Sequence, residues 1–159
     1  MKMALNATPL IYLAKSGLFK ILDDSDNYYS TQQVAEEVLL PDFSEYLELK
    51  NFMDQHVGII KTKIAKEFTI DGLGAGEASV LSLAKDRCMA AIIDDKLGRA
   101  CAAANNIRVY HTTFFIFRSL EKNTLQKKDA LSYLDKLVLA GWRCDIETYI
   151  RIRNKIEAF

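Results

Sequence analysis

The stretch Ala90-Ala91-Ile92-Ile93-Asp94-Asp95-Lys96-Leu97-Gly98-Arg99-Ala100 decides the fold. Ala90 to Ile93 read as a short buried strand. From Lys96 onward Leu97, Cys101 and Ala104 recur at helical spacing. Two adjacent carboxylates therefore sit at the carboxyl end of a strand, where open α/β sheets place their ligands. Such neighbours repel by ~1 kcal/mol at 4 Å in water, and by several times that at a lower effective dielectric. A metal ion, a basic partner or solvent offsets that repulsion, and Asp95 also reads as the cap of the next helix.

Working outward, a short apolar opening (Met3 to Leu5) ends at Asn6. Thr8 reads as an N-cap with Pro9 at the first helical position, and that helix stops near Gly17. Leu18 to Leu22 form a further apolar turn, followed by a polar turn over Asp23 to Asn27 and a brief strand at Tyr28-Tyr29. Ser30 with Gln33 has capping-box spacing and opens a helix to about Leu40; Asp42 with Glu45 repeats the spacing and opens another to about Gln55. Val57 to Ile64 alternates like an edge strand or hairpin arm. A helix over about Ala75 to Asp86 precedes the Ala90–Ile93 strand. After it come a Lys96–Asn105 helix, an Ile107–Tyr110 strand, and helices near Thr113–Lys122, Lys127–Leu139 and beyond Asp145.

Short buried strands alternating with amphipathic helices predict an α/β fold. The expectation is a small parallel twisted sheet of four or five strands with helices on both faces, in a single domain over residues 1–159. A chain of that length buries about two thirds of its unfolded surface. No apolar run approaches ~18 residues and no signal-peptide pattern opens the chain, so a soluble, cytoplasmic protein with no membrane association is expected. The balance of 21 basic and 21 acidic residues removes any overall positive field that would steer the molecule to nucleic acid. Cys88, Cys101 and Cys144 form no CxxC pair and read as small buried apolar residues. His56 and His111 are isolated and suggest no zinc site or catalytic base.

Gly72-Leu73-Gly74-Ala75-Gly76 is not a dinucleotide fingerprint, because the GxGxxG pattern is incomplete and no buried strand precedes it. The glycines instead position Glu77 in the first turn of its helix, where the helix dipole favours a carboxylate. Glu37 lies beside the apolar stripe of Val34 and Val38, and by itself reads first as a flanking surface acid.

The combination is more specific than its parts. Asn6-Ala7-Thr8-Pro9-Leu10-Ile11-Tyr12-Leu13-Ala14-Lys15, Val34-Ala35-Glu36-Glu37, Gly76-Glu77-Ala78 and Ile93-Asp94-Asp95-Lys96-Leu97-Gly98-Arg99 stand in an order that resembles the PIN-domain superfamily. The likeness is nearest to its small prokaryotic, VapC-like branch, and it covers about residues 3 to 140. It implies a metal-dependent endoribonuclease, the toxin component of a toxin–antitoxin pair, with Mg2+ or Mn2+ as cofactor. Carried over by position, the metal ligands would be Glu37, Glu77 and Asp95. Asp94 would be a further ligand or a supporting acid, and Thr8 and Thr112 would be hydroxyls near the pocket. Lys96 and Arg99 would meet RNA phosphate, unless they are ordinary helix-surface ion pairs. Expected partners are RNA, an antitoxin protein and a second copy of the chain in a homodimer.

One position departs from the pattern. The family's first acid falls at Asn6, whose amide offers a carbonyl oxygen to a hard cation but no negative charge. The alternative is therefore a catalytically impaired homologue that binds RNA or protein. A receiver domain, which also places an Asp pair at a strand end, lacks here the separate acceptor Asp and the late-strand Lys.

Overall fold

The computed structural model describes residues 1–159. In chain order the elements are β1 (Lys2–Leu5), α1 (Ala7–Ser16), β2 (Asn27–Thr31), α2 (Gln32–Val38), α3 (Tyr46–His56), β3 (Val57–Ile60), α4 (Ala75–Asp86), β4 (Ala90–Ile92), α5 (Lys96–Ala104), β5 (Val109–Tyr110), α6 (Phe114–Glu121), α7 (Lys127–Leu139) and α8 (Ile146–Glu157). All five strands pair in parallel in the order β3-β2-β1-β4-β5. The chain first builds outward from β1 through β2 to β3, then returns to the other side of β1 to lay down β4 and β5. The direction of winding thus reverses between β1 and β4, and this switch point opens a crevice beyond their carboxyl ends.

The chain forms two compact units, one from residues 1–11 and 24–112 and the other from residues 12–23 and 113–159. The first holds the sheet. Its central strands read as continuous apolar runs because a parallel sheet is covered on both faces: Met3, Ala4, Leu5 and Ala91 to Ile93 are fully buried. In the second unit Phe115, Ile116, Ala130, Leu134, Leu137 and Ile156 are buried. There Tyr12 donates to the Gly141 carbonyl at 3.0 Å, and Asp145 caps α8 by accepting from the Thr148 amide. No helix is long and apolar enough to cross a membrane.

Several local expectations shift. Helix α1 begins one residue before Thr8, and the Asn6 carbonyl accepts its first helical bond from the Leu10 amide at 3.3 Å. Pro9 then falls within the first turn, where its missing N–H has no helical acceptor in any case. Ser30 belongs to β2 and donates to the Leu5 carbonyl, so Thr31 caps α2 in its place. Glu45 rather than Asp42 precedes α3. The Val57–Ile64 segment is an edge strand paired parallel to β2, not a hairpin arm, and it ends at Ile60. Cys88 is exposed in a left-handed turn after α4, while Cys101 and Cys144 are half-buried, so none is the buried apolar residue expected.

Candidate active site

Asn6 follows β1 directly and is only 1% exposed. Its backbone amide continues the pairing to β4 by donating to the Ile92 carbonyl at 3.2 Å. The side chain divides its two functions: Nδ2 donates to Glu77 Oε1 at 3.0 Å, while Oδ1 is buried without a hydrogen-bond partner. A buried acceptor in that condition costs about 1–3 kcal/mol. It is the part of Asn6 that can serve a group from outside the chain.

Glu77 lies in the first turn of α4, where the helix dipole stabilises its charge. Glu37 comes from α2. As a residue it is exposed, but its carboxylate leans onto Gly76. A Cβ on Gly76 would stand 2.8 Å from Glu37 Oε2 and 3.4 Å from Asn6 Oδ1. Glycine at this position is thus what admits the start of α4 to the Glu37 carboxylate. Burial, and after it the charge of Glu77, holds the Glu37 carboxyl above the ordinary carboxylate range.

Asp95 caps α5 by accepting from the Gly98 amide at 2.8 Å. A Cβ on Gly98 would lie 3.6 Å from Glu77 Cγ, 3.7 Å from Asp95 Oδ2 and 2.9 Å from Ile93 Cγ2. The missing side chain therefore lets α5 close on the end of β4 with Glu77 and Asp95 on either side of the same point. Asp94 has a different neighbourhood. Its carboxylate accepts from the Thr112 amide at 2.9 Å and from the Thr112 hydroxyl, and His111 Nδ1 stands 3.6 Å away. Arg99 donates to the Asp94 carbonyl and lies 3.4 Å from His111 Nδ1. Thr8 sits half-exposed in the first turn of α1, and Lys96 is exposed at the start of α5.

The structure thus brings Asn6, Glu37 and Glu77 together, sets Asp95 beside Glu77, and ties Asp94 to Thr112. His111 is the participant that sequence reasoning set aside. The available signal was its place at the end of the last strand, immediately before Thr112. Among the Asp, Glu, His and Cys side chains no three stand close enough to hold a metal ion by themselves. Asn6 Oδ1 completes an all-oxygen set with the two glutamates, and hard divalent cations take such donors, amide carbonyls included. A cavity of about 480 Å³ lined by Lys2, Lys85, Asn105 and Arg108 lies at the amino ends of the strands and contains none of these acids.

A family model described as PIN domain, DUF3368, matches residues 2–158. Among solved structures the chain is similar to a PilT N-terminus domain protein from the hyperthermophilic archaeon Sulfolobus solfataricus P2. The two share 14% identity and a TM-score of 0.50, over 76% of this chain and 95% of that one. At that identity the likeness concerns the fold alone. No curated protein matches the chain.

Proposed function

Because the chain belongs to the PIN-domain family, a superfamily of nuclease type, we propose that it is a metal-dependent endoribonuclease and the toxin component of a toxin–antitoxin pair. The observation that carries this reading is the buried, partnerless Asn6 Oδ1, on a side chain whose Nδ2 holds Glu77 and whose oxygen shares the approach to Gly76 with the Glu37 carboxylate. Glu37, Glu77 and Asp95 would hold a divalent ion, Mg2+ or Mn2+, with the Asn6 carbonyl oxygen as a further donor. Such an ion, when bound, supplies a water nucleophile and stabilises charge on a phosphate.

The chain's own groups do the rest. The Asn6 amide fixes one oxygen of Glu77, which prevents that carboxylate from swinging away. Lys96 offers an exposed ammonium to an RNA phosphate next to the acids. Arg99 is committed to the Asp94 carbonyl, so its part is to shape the rim. An RNA substrate implies a cytoplasmic protein, and the toxin role implies an antitoxin partner and a homodimer. Light scattering on the purified chain reads the last of these.

Melting in EDTA and in Mn2+, run beside cleavage of a mixed-sequence RNA, tests the reading. A ligand bound only by the folded state stabilises by about 2.7 kcal/mol at a hundredfold excess over its dissociation constant. Mn2+ is expected to raise the melting temperature of the native chain, and Asp95→Asn to abolish both the rise and the cleavage. Asn is as good an N-cap as Asp, so this variant keeps α5 intact. A flat Mn2+ titration with no cleavage favours the second reading, an RNA- or protein-binding module. The Asn6–Glu77 hydrogen bond supports that alternative, since it already provides part of the compensation a cation would bring.

A further inference from the structure

Thr31 and Ser79 are both fully buried, and their hydroxyl oxygens are 2.7 Å apart. Thr31 closes β2 and caps α2, the helix of Glu37; Ser79 lies on α4, two residues after Glu77. The Val34 amide donates to Thr31 Oγ1 at 3.3 Å, and Ser79 Oγ donates to the Gly76 carbonyl at 2.8 Å. A hydroxyl donates once. With the Ser79 proton given to Gly76, the bond between the hydroxyls must run from Thr31 to Ser79. One directed chain results, from the Val34 amide through both hydroxyls to the Gly76 carbonyl, and every member is satisfied.

That chain joins the first turn of α2 to the first turn of α4. Its far end is Gly76, the residue whose missing Cβ lets the Glu37 carboxylate approach. Neither hydroxyl hydrogen-bonds to Asn6, Glu37 or Glu77, but the link ties together the two helices that carry the acids. We propose that Thr31 and Ser79 are positioning residues that hold Glu37 and Glu77 at ligand spacing. The chemical role of that spacing rests on the metal-nuclease reading; the spacing itself does not.

The test uses Thr31→Val, Thr31→Ser and Ser79→Ala, with Ser82→Ala as control. Ser82 is a buried serine one turn further along α4; it donates to the Ala78 carbonyl, accepts from the Ala65 amide, and has no link to α2. The first measurement is Mn2+ affinity by calorimetry. Losing a group that orients ligands weakens metal binding by about 10-fold or more. That loss is expected for Thr31→Val and Ser79→Ala, but not for Thr31→Ser, which keeps the hydroxyl, nor for Ser82→Ala. The second measurement needs no metal: melting in EDTA of Glu37→Gln in the native and Ser79→Ala backgrounds. Held together, the acids repel, so Glu37→Gln raises the melting temperature of the native chain and raises it less once the bridge is gone.

If the native chain ignores Mn2+ while this non-additivity persists, the metal reading fails and the positioning role stands. If Glu37→Gln acts equally in both backgrounds, the positioning role is overturned. It is also overturned if Ser79→Ala and Ser82→Ala shift a measurable Mn2+ affinity alike.

Discussion

Two acidic neighbourhoods stand in the sheet-bearing unit, and the protein treats them in opposite ways. Asp94 is provided for from within: an amide and a hydroxyl of Thr112 reach its carboxylate, His111 stands by, and Arg99 holds its carbonyl. The group at Asn6, Glu37 and Glu77 is left short. Asn6 supplies one hydrogen bond, its own oxygen has no partner, and burial, then the charge of Glu77, raises the cost of ionising Glu37. Carboxylates that serve only the fold are normally satisfied by the fold, because an unpaired buried charge costs several kcal/mol. The contrast marks Asp94 as the bracket that fastens β4 to the end of β5. The Asn6 group is the part that, on the proposed function, meets something from outside.

The sharpest way to break this contrast is Asn6→Asp. A third carboxylate in an already unfavourable cluster should lower stability in EDTA by about 3 kcal/mol, the scale of an uncompensated buried charge. With saturating Mn2+ the order should reverse, the variant melting above the native chain and cleaving RNA faster. Melting curves in both conditions check the reversal. A residue that only ends a strand and starts a helix would give the loss without the reversal.

Next in size is the other neighbourhood. Thr112→Val removes the hydroxyl that serves Asp94 while keeping the shape of the side chain. Depriving a largely buried carboxylate of a partner costs about 1–3 kcal/mol, and the cost should be the same in EDTA and in Mn2+. Urea unfolding in both conditions reads it. A loss confined to the Mn2+ condition would move Asp94 into the metal group.

How far the sequence discloses this division is instructive. The Asp94-Asp95 stretch was legible as a strand end because an apolar run stopping at two acids has few other meanings, and the parallel sheet followed from alternating strands and helices. The cap that Asp95 gives α5 was legible from its place before the helix, but the tie of Asp94 to Thr112 was not. A cap is a contact three residues away, whereas only tertiary placement brings the Thr112 amide to Asp94. The convergence of Asn6, Glu37 and Glu77 was reachable only through family resemblance, since no local pattern encodes a contact across 71 positions. Gly76 read as part of a glycine-rich turn; that its missing side chain admits a carboxylate is a fact about two helices. Spacing alone does not decide a cap. Ser30 and Asp42 have the right spacing to cap, but the strand takes Ser30 for itself and α3 starts further on.

The smallest effect belongs to Glu37 in the absence of metal. Its carboxyl sits above the ordinary value of 4.5, chiefly through burial and then through the charge of Glu77. A raised acid means that the folded chain prefers Glu37 protonated. The fold is therefore unpenalised below the ordinary value and loses stability as pH rises through the elevated one. In EDTA, Glu37→Gln should match the native chain near pH 4 and exceed it at pH 7. Solvent reaches Glu37, which limits the gain to a fraction of about 1 kcal/mol. In saturating Mn2+ at pH 7 the same substitution removes a ligand, and the variant should become the less stable of the two. Melting across this pH range, with and without the metal, is the measurement. A native chain whose advantage over the variant in EDTA grew with pH would mean that the fold itself satisfies ionised Glu37. The distinction between the two acidic neighbourhoods would then disappear.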